Sequence, residues 1–172
     1  MNYFFTADEH YWHTNIIKYC NRPFKSTEEM DKTIIKNHNS MVKEEDIVYH
    51  IWDFTLRSNA EKYIKRLNGK HIFIRWSHDK WMDDSYHEII EKKTYFNLIV
   101  MCHYKMSIWP KSHYNSWLLY GHSHWHSKEE WKSIDVWVDT NNFFPYSLED
   151  IVNIMKRKPD NFNLIWSIWK EH

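Results

Sequence analysis

Short apolar runs alternate along this chain with segments that carry helix-capping patterns, and this alternation restricts the fold more than any other feature. The apolar runs predict strands at residues 2–7, 46–51, 71–75, 96–103, 117–121 and 133–138. Capping patterns predict helices from Ser26 to about Val42, over residues 58–69, and from Ser147 to the basic residues 156–158. Strands that alternate with helices indicate an α/β fold built on a largely open sheet.

Length and composition narrow the class of protein. At 172 residues the chain can bury a full core, and we expect a single domain over residues 1–172. The 23 basic and 23 acidic residues cancel, so no net field attracts nucleic acid or a membrane surface. Two cysteines without a Cys-x-x-Cys pair, and no apolar run of about 18 residues, favour a cytoplasmic protein. The 13 histidines are many for a neutral chain and raise the expectation of metal chemistry.

Carboxylates and imidazoles follow the ends of the predicted strands. The groups that follow the first five strands are Asp8-Glu9-His10, Asp53, Ser77-His78-Asp79, His103 and Gly121-His122-Ser123-His124. In open α/β sheets, binding sites lie just beyond the carboxyl ends of strands. Mixed carboxylate and imidazole ligands suit Mn, Fe, Zn or Ni better than Ca, which prefers oxygen alone. These ligands exceed what one tetrahedral ion uses, so the sequence predicts two divalent ions that share a bridging carboxylate.

In order and spacing, these groups resemble the blocks D-x-H, G-D, G-N-H-D/E, H and G-H-x-H of the calcineurin-like metallophosphoesterases. The match runs from Tyr3 to about His126, and the stretch HTNIIKYCNRPF is similar to small bacterial and phage members of that family. The resemblance implies an α/β/β/α sandwich, in which two facing mixed sheets are flanked by helices. It also implies hydrolysis of phosphomonoesters or phosphodiesters by a metal-bridging hydroxide. The cofactors would be two divalent metal ions, with manganese expected first and iron, zinc or nickel as alternatives.

Carried over by position, the resemblance also implies roles for individual residues. The implied metal ligands are Asp8, His10 and His124 for one ion, Ser77, His103 and His122 for the other, and Asp53 as the bridge. His78 would contact the phosphate or protonate the leaving alkoxide, and Asp79 would orient it. Arg57 and His13 lie close to ligand blocks and are candidates for contact with the substrate phosphate, with plain surface positions as the alternative.

Tryptophan stands at several positions where the family pattern has glycine. The chain has 2 glycines and 11 tryptophans, whereas average composition would give roughly 12 glycines. The affected positions are Trp12, Trp52, Trp76, Trp125 and Trp137. Glycine at such positions allows a positive φ or a close approach of the backbone to ions and phosphate. We hypothesise that these codons are UGA in a genetic code that reads UGA as glycine; the alternative is genuine tryptophans with adjusted turns.

Ser77 is a separate departure from the family pattern. The family has asparagine there, whose amide oxygen binds the second ion, and a serine hydroxyl is a shorter and poorer neutral ligand. The alternative function is therefore a degenerate member that binds metal or phosphate with little or no turnover. A nucleic-acid-binding module that stacks bases on its aromatic side chains is disfavoured by the neutral charge and the scattered tryptophans.

Overall fold

The structure is a computed structural model that describes residues 1–55, 60–74, 89–94, 96–123, 128 and 130–165. Within these residues, the chain forms two four-stranded sheets that share one core. The strands are β1 (Tyr3–Thr6), β2 (Ile47–Ile51), β3 (Lys70–Ile74), β4 (Ile89–Lys93), β5 (Leu98–Cys102), β6 (Trp117–Tyr120), β7 (Ser133–Asp135) and β8 (Tyr146–Ser147). The helices are α1 (Thr14–Tyr19), α2 (Thr27–Met41), α3 (Ala60–Ile64) and α4 (Leu148–Arg157), with 3-10 turns at Ser112–Tyr114 and Val138–Asn141.

Both sheets are mixed. The first has the order β3-β2-β1-β8, in which β1, β2 and β3 run parallel and β8 runs antiparallel to β1. The second has the order β4-β5-β6-β7, in which β4 runs antiparallel to β5 and the remaining pairs are parallel. The predicted α/β fold with two facing mixed sheets flanked by helices is confirmed. Because parallel strands point the same way, the carboxyl ends of each parallel set meet at one edge of its sheet.

Apolar side chains from both sheets fill the space between them. Phe5 and Tyr49 stack in the first sheet with ring centroids 5.6 Å apart, and Leu119 faces the same core from the second sheet. Met155 of α4 belongs to this core as well, because α4 packs against β1 and β8. A second apolar cluster, which includes Ile34 of α2, joins α1, α2 and α3 to the first sheet. This packing leaves the loops at the carboxyl ends of the strands to build a site.

Two of the three predicted serine caps are confirmed, and the third, at Ser58, lies outside the described residues. The Ser26 hydroxyl accepts a hydrogen bond from the Glu29 amide at 3.2 Å, which starts α2. The Ser147 hydroxyl accepts one from the Asp150 amide at 3.1 Å, and the Asp150 carboxylate accepts one from the Ser147 amide at 2.9 Å. This reciprocal arrangement is a complete capping box, so the start of α4 is strongly specified by local sequence.

The helix predicted over residues 58–69 is shorter in the structure. It runs from Ala60 to Ile64 as α3, and residues 58 and 59 lie outside the described part. Beyond its end, amide groups donate to carbonyls three residues earlier, so the chain tightens into turns. Gly69 then adopts a φ of 106°, which the predicted glycine stop requires.

The carboxyl-terminal segment packs against the second sheet over residues 161–165. The Asn161 side chain donates hydrogen bonds to the carbonyls of Ser112 and Ser116, each at 2.9 Å. These five residues dock as a tail and form no strand, while residues 166–172 lie outside the described part. Among the described helices, none combines the length and apolar composition that a membrane span requires.

Candidate metal centre

Acidic and histidine side chains converge where the strands end. Two groups of potential ligands form, and within each group the ligand atoms all lie within 4.8 Å of one another. The first group is Asp8, His10 and Asp53, and the second is Asp53, His103 and His122. Asp53 belongs to both groups, as a residue between two ions must. Of the predicted site residues, Arg57, Ser77, His78, Asp79 and His124 lie outside the described part of the chain.

The backbone at this edge is strained. Asp8, His10, Asp53 and His122 have positive φ angles of 54°, 55°, 42° and 66°. For a residue other than glycine, this left-handed conformation costs about 1–2 kcal/mol. The turn at Asp8–His10 is joined to the turn at Trp52–Asp53 by two main-chain hydrogen bonds of 2.9 Å. The Asp8 amide donates to the Trp52 carbonyl, and the His10 amide donates to the Asp53 carbonyl. Residues held in such conformations concentrate at functional sites, where the surrounding structure fixes them.

The burial and charge of the first group fit a divalent cation. Burial raises the pKa of Asp8 well above its usual range, and the neighbouring Asp53 carboxylate raises it further. Oδ2 of Asp8 accepts a 2.9 Å hydrogen bond from the His122 amide. No hydrogen-bond donor among the described residues reaches Oδ1 of Asp8, although this atom is buried. A bound dication would satisfy this oxygen and offset the repulsion between the two carboxylates, so the residues present fit a divalent metal ion.

His13 lies behind His10. Nδ1 of His13 is 3.4 Å from Nδ1 of His10, while Nε2 of His10 lies 3.8 Å from the nearer Asp53 oxygen. An imidazole that binds a metal through Nε2 carries its proton on Nδ1, so His10 would donate to His13. Burial lowers the pKa of His13, and the Arg22 charge lowers it further, which favours the neutral acceptor. His13 is therefore placed to orient His10, and its contact with a substrate phosphate stays a prediction.

Glu9 points away from this ligand group into a buried histidine cluster. Its Oε1 lies 2.5 Å from Nδ1 of His50, and Nε2 of His50 lies 2.9 Å from Nδ1 of His71. Burial raises the pKa of Glu9 to about 8 and lowers that of His50 to about 3. Both shifts favour the uncharged forms, so this contact suits a hydrogen bond from a protonated carboxyl group to a neutral imidazole. The sequence analysis assigned no site role to these histidines, and the structure gives them contacts with one another and with His38.

The backbone φ angles of the described tryptophans support the glycine hypothesis at some positions and not at others. Trp12 and Trp52 have φ angles of 63° and 78°, in the region that glycine favours. Trp137 has a φ of −56°, so a need for positive φ does not explain glycine at that position. Trp131, where the family pattern does not call for glycine, has a φ of 56°. Trp76 and Trp125 lie outside the described residues.

Two residues that support the turn at Asp8–His10, the buried Arg22 and the half-buried Asp139, were missed in the sequence. The Arg22 guanidinium donates to the carbonyls of Asp8 and Glu9 and to the carboxylate of Asp139. Arg22 lies in NRPF, at the end of the stretch that resembles small bacterial and phage members, but no role was assigned there to either Arg22 or Asp139. Sequence gives no direct mark of a buried arginine, because its burial depends on a partner 117 positions away.

The fold and the ligand groups define an α/β protein of two mixed sheets with a carboxylate and imidazole centre, buried except at His122, that is suited to divalent cations. Over 162 residues, the chain is 38% identical to the uncharacterized protein MJ1445 of Methanocaldococcus jannaschii. This alignment covers 88% of this chain and 89% of that protein. The chain belongs to the same family as that protein. No family model matches the chain.

Solved structures extend the comparison of the fold. The chain aligns with the protein of unknown function AQ665 from Aquifex aeolicus with a TM-score of 0.69 and 23% identity. That alignment covers 89% of this chain and 98% of the other, so the two proteins share a fold. A conserved uncharacterized protein of Streptococcus pneumoniae, described as a predicted phosphoesterase, aligns over 79% of this chain with a TM-score of 0.43, too low to establish a common fold.

Proposed function

We propose that this protein is a metal-dependent phosphoric ester hydrolase that acts on phosphomonoesters or phosphodiesters. The observation that carries the proposal is the position of Asp53, which lies within 4.8 Å of both halves of a five-residue ligand group. A carboxylate shared in this way suits two adjacent cations, and paired cations suit displacement at phosphorus. The blocks of sequence that follow the strands support the same reaction.

The ligand sets proposed here are those that the family resemblance implies. We assign Asp8, His10 and His124 to one ion, and Ser77, His103 and His122 to the other, with Asp53 between them. Carboxylate and imidazole ligands favour manganese first, with iron, zinc or nickel also compatible. When bound, such ions would polarise the phosphoryl oxygens and lower the pKa of the attacking water.

The protein's own side chains would position the ester and move the proton. We assign His78 to donate a proton to the leaving alkoxide, and Asp79 to hold the imidazole in the tautomer that can do so. Arg57 would bind the phosphate through its planar guanidinium. His13 would act on the phosphate or through His10, whose Nδ1 it faces at 3.4 Å.

An aryl phosphate panel tests the proposal. Purified protein is stripped of metal, reloaded with Mn²⁺, and assayed with an aryl phosphomonoester and a bis-aryl phosphodiester. We expect hydrolysis of at least one substrate, loss of activity on stripping, and loss of activity in His78→Ala at retained metal content. Hydrolysis that persists in the stripped protein, or in His78→Ala, would contradict the proposal. Metal analysis of the purified chain then identifies the ions it retains.

A degenerate member that binds metal or phosphate with little turnover is the second candidate. The observation that favours it is the buried Trp52 indole, whose ring centroid lies 3.9 Å from that of His103, a member of the second ligand group. An indole at this place occupies space beside the second group of ligands. In this case, the stripped protein would still take up Mn²⁺, but neither aryl substrate would be hydrolysed.

A further inference from the structure

Arg22 is a buried cation whose donors are all engaged. It is 4% exposed and lies between α1 and α2. Nε donates to both oxygens of Asp139 at 2.9 and 3.0 Å, and Nη2 donates to one of them at 2.7 Å. Nη2 also donates to the Asp8 carbonyl at 2.8 Å, and Nη1 donates to the Glu9 carbonyl at 2.9 Å and to the Met30 sulfur at 3.2 Å. A guanidinium has five N–H donors, and each has an acceptor here.

The two carbonyls held by Arg22 belong to the peptide groups on either side of Glu9. These peptide groups join Asp8 to His10, the two members of the first ligand group that are nearest in sequence. Both residues have left-handed backbones, with φ angles of 54° and 55°. Each costs about 1–2 kcal/mol to hold, so an isolated turn of this sequence would relax toward ordinary φ angles. The hydrogen bonds from Arg22 oppose that relaxation.

We propose that Arg22 and Asp139 form a clamp that positions Asp8 and His10 for metal binding. The clamp rests on the proposed function only in requiring that the centre binds a divalent cation. Asp139 fixes the guanidinium, which in turn fixes the peptide groups on both sides of Glu9. Both are positioning residues, because Arg22 bonds the backbone carbonyls of the turn and Asp139 bonds Arg22.

The clamp depends on the shape of arginine as well as on its charge. The planar fork places donors toward the Asp139 carboxylate on one edge and toward two carbonyls on the other, which a lysine ammonium cannot match. Aromatic rings also contact the guanidinium, with its carbon 5.8 Å from the ring centroid of Trp137 and 5.7 Å from that of Phe143. Asp139 lies in the 3-10 turn that follows β7. The clamp therefore connects the end of the second sheet to the ligand turn of the first.

Arg22→Lys and Asp139→Asn test the clamp, with Lys132→Met as the matched control. Lys132 is also a buried cation, and it donates to the carbonyls of Met155 and Lys158 at the end of α4. The full-length variants are titrated with Co²⁺ against a chromophoric chelator, and the Co²⁺ absorption spectrum reports ligand geometry. Amide hydrogen exchange of Asp8 and His10 is measured in the metal-free proteins at a temperature where each variant is folded.

We expect Arg22→Lys to weaken Co²⁺ binding by about 10–100-fold and to change the spectrum, as loss of an outer support does at other metal centres. The Asp8 and His10 amides should exchange about tenfold faster. The Co²⁺ affinity and the exchange rates of Asp139→Asn should lie between those of Arg22→Lys and the parent, because one acceptor oxygen remains. Lys132→Met should lower thermal stability without changing affinity, spectrum or exchange at these two amides.

The outcomes separate the clamp from the proposed function. If Arg22→Lys keeps the parental Co²⁺ affinity, spectrum and exchange rates, the clamp is overturned. If Lys132→Met weakens Co²⁺ binding as much as Arg22→Lys, the effect is general destabilisation and the clamp is again overturned. If the parent binds Co²⁺ but hydrolyses no phosphate ester, the proposed function fails while the clamp stands. If the parent binds no Co²⁺, both fail.

Discussion

Gly121 lies directly against Asp8. A Cβ atom on Gly121 would stand 2.3 Å from Oδ2 of Asp8 and 2.9 Å from Cβ of Ala7. The residue that follows, His122, donates its amide hydrogen to the same Asp8 oxygen at 2.9 Å. The chain after β1 and the loop after β6 can thus approach each other closely because Gly121 has no Cβ atom.

We predict that Gly121→Ala removes the first metal ion, because the added methyl group displaces the Asp8 carboxylate. Metal content after equilibration with Mn²⁺ measures the effect, and far-ultraviolet circular dichroism checks folding. Gly69→Ala is the matched control. It strains a φ of 106° and a 2.9 Å contact with Val42 at a distance from the ligands, so it should lower stability and spare metal. Parental metal content in Gly121→Ala would show that Asp8 is not a ligand.

Asp53→Asn should remove both ions together. A neutral amide cannot offset the repulsion between two adjacent dications, whereas the carboxylate lies within 4.8 Å of ligand atoms from both groups. The measurement is the number of Mn²⁺ ions bound per chain. Asp46→Asn is the control, because Asp46 is another buried carboxylate but accepts hydrogen bonds from Asn2 and Lys43 at the opposite end of β2. Retention of one ion by Asp53→Asn would argue against a shared site.

Trp12→Gly should be more stable to unfolding than Trp12→Ala by about 1 kcal/mol, because the residue has a φ of 63° that glycine adopts without strain and alanine does not. Trp12 is 38% exposed, so both substitutions lose the same covered part of the indole and the comparison reports the backbone alone. Chemical denaturation of the metal-free proteins measures the difference. At Tyr114, which lies in a 3-10 turn, glycine should instead be less stable than alanine. Equal stability of Trp12→Gly and Trp12→Ala would mean that the backbone at Trp12 is not strained.

The coding DNA gives an independent test of the glycine hypothesis. We predict UGA codons at Trp12, Trp52, Trp76, Trp125 and Trp137. At Trp109 and Trp117 we predict UGG, because neither a turn nor an ion site requires glycine there. The positive φ angles at Trp12 and Trp52 support this pattern. UGG codons at the five positions predicted to have UGA would contradict the hypothesis.

Stability should fall in mild acid because of His38. Burial, with smaller contributions from the neighbouring His50 and His71, lowers the pKa of His38 to about 4. The native state therefore keeps His38 neutral while the unfolded chain takes up a proton below about pH 6.5. Its contribution to stability is present above pH 6.5 and is lost as the pH falls toward 4.

We expect this residue to add about 1.4 kcal/mol per pH unit to the loss of unfolding free energy below pH 6.5. His38→Gln should make the slope shallower, because glutamine can still donate to the Asn68 carbonyl that His38 meets at 2.9 Å but does not titrate. Urea denaturation at a series of pH values, in the presence of a chelator, gives both slopes. Parallel curves for the parent and the variant would exclude the assignment.

Local patterns predicted the elements that local interactions determine. Ser26 and Ser147 begin helices because their hydroxyls satisfy amides three residues onward, and the apolar runs became strands. α1 was not predicted because His13, before its first residue, makes no side-chain capping hydrogen bond. β8 has only two residues and exists because it pairs with Phe4 and Phe5, which no local pattern reveals.

The same division holds at the centre. Asp8, His10, Asp53, His103 and His122 could be proposed from sequence because they follow strands whose ends had to meet. Arg22 could not, because its burial depends on Asp139, which the chain brings back from beyond β7. The left-handed backbones of Asp8 and His10 are likewise invisible in a pattern of residue types, since they arise from the hydrogen bonds around the turn.

Ligand groups drawn from two sheets have a consequence for unfolding kinetics. Asp8 and His10 come from the first sheet, His103 and His122 come from the second, and an isolated bridge between Ala7 and Trp137 joins the sheets nearby. Ions bound by these side chains would cross-link the two sheets. Separation of the sheets during unfolding would then require the ions to dissociate first, so the lifetime of the folded chain would be governed by the rate of metal release.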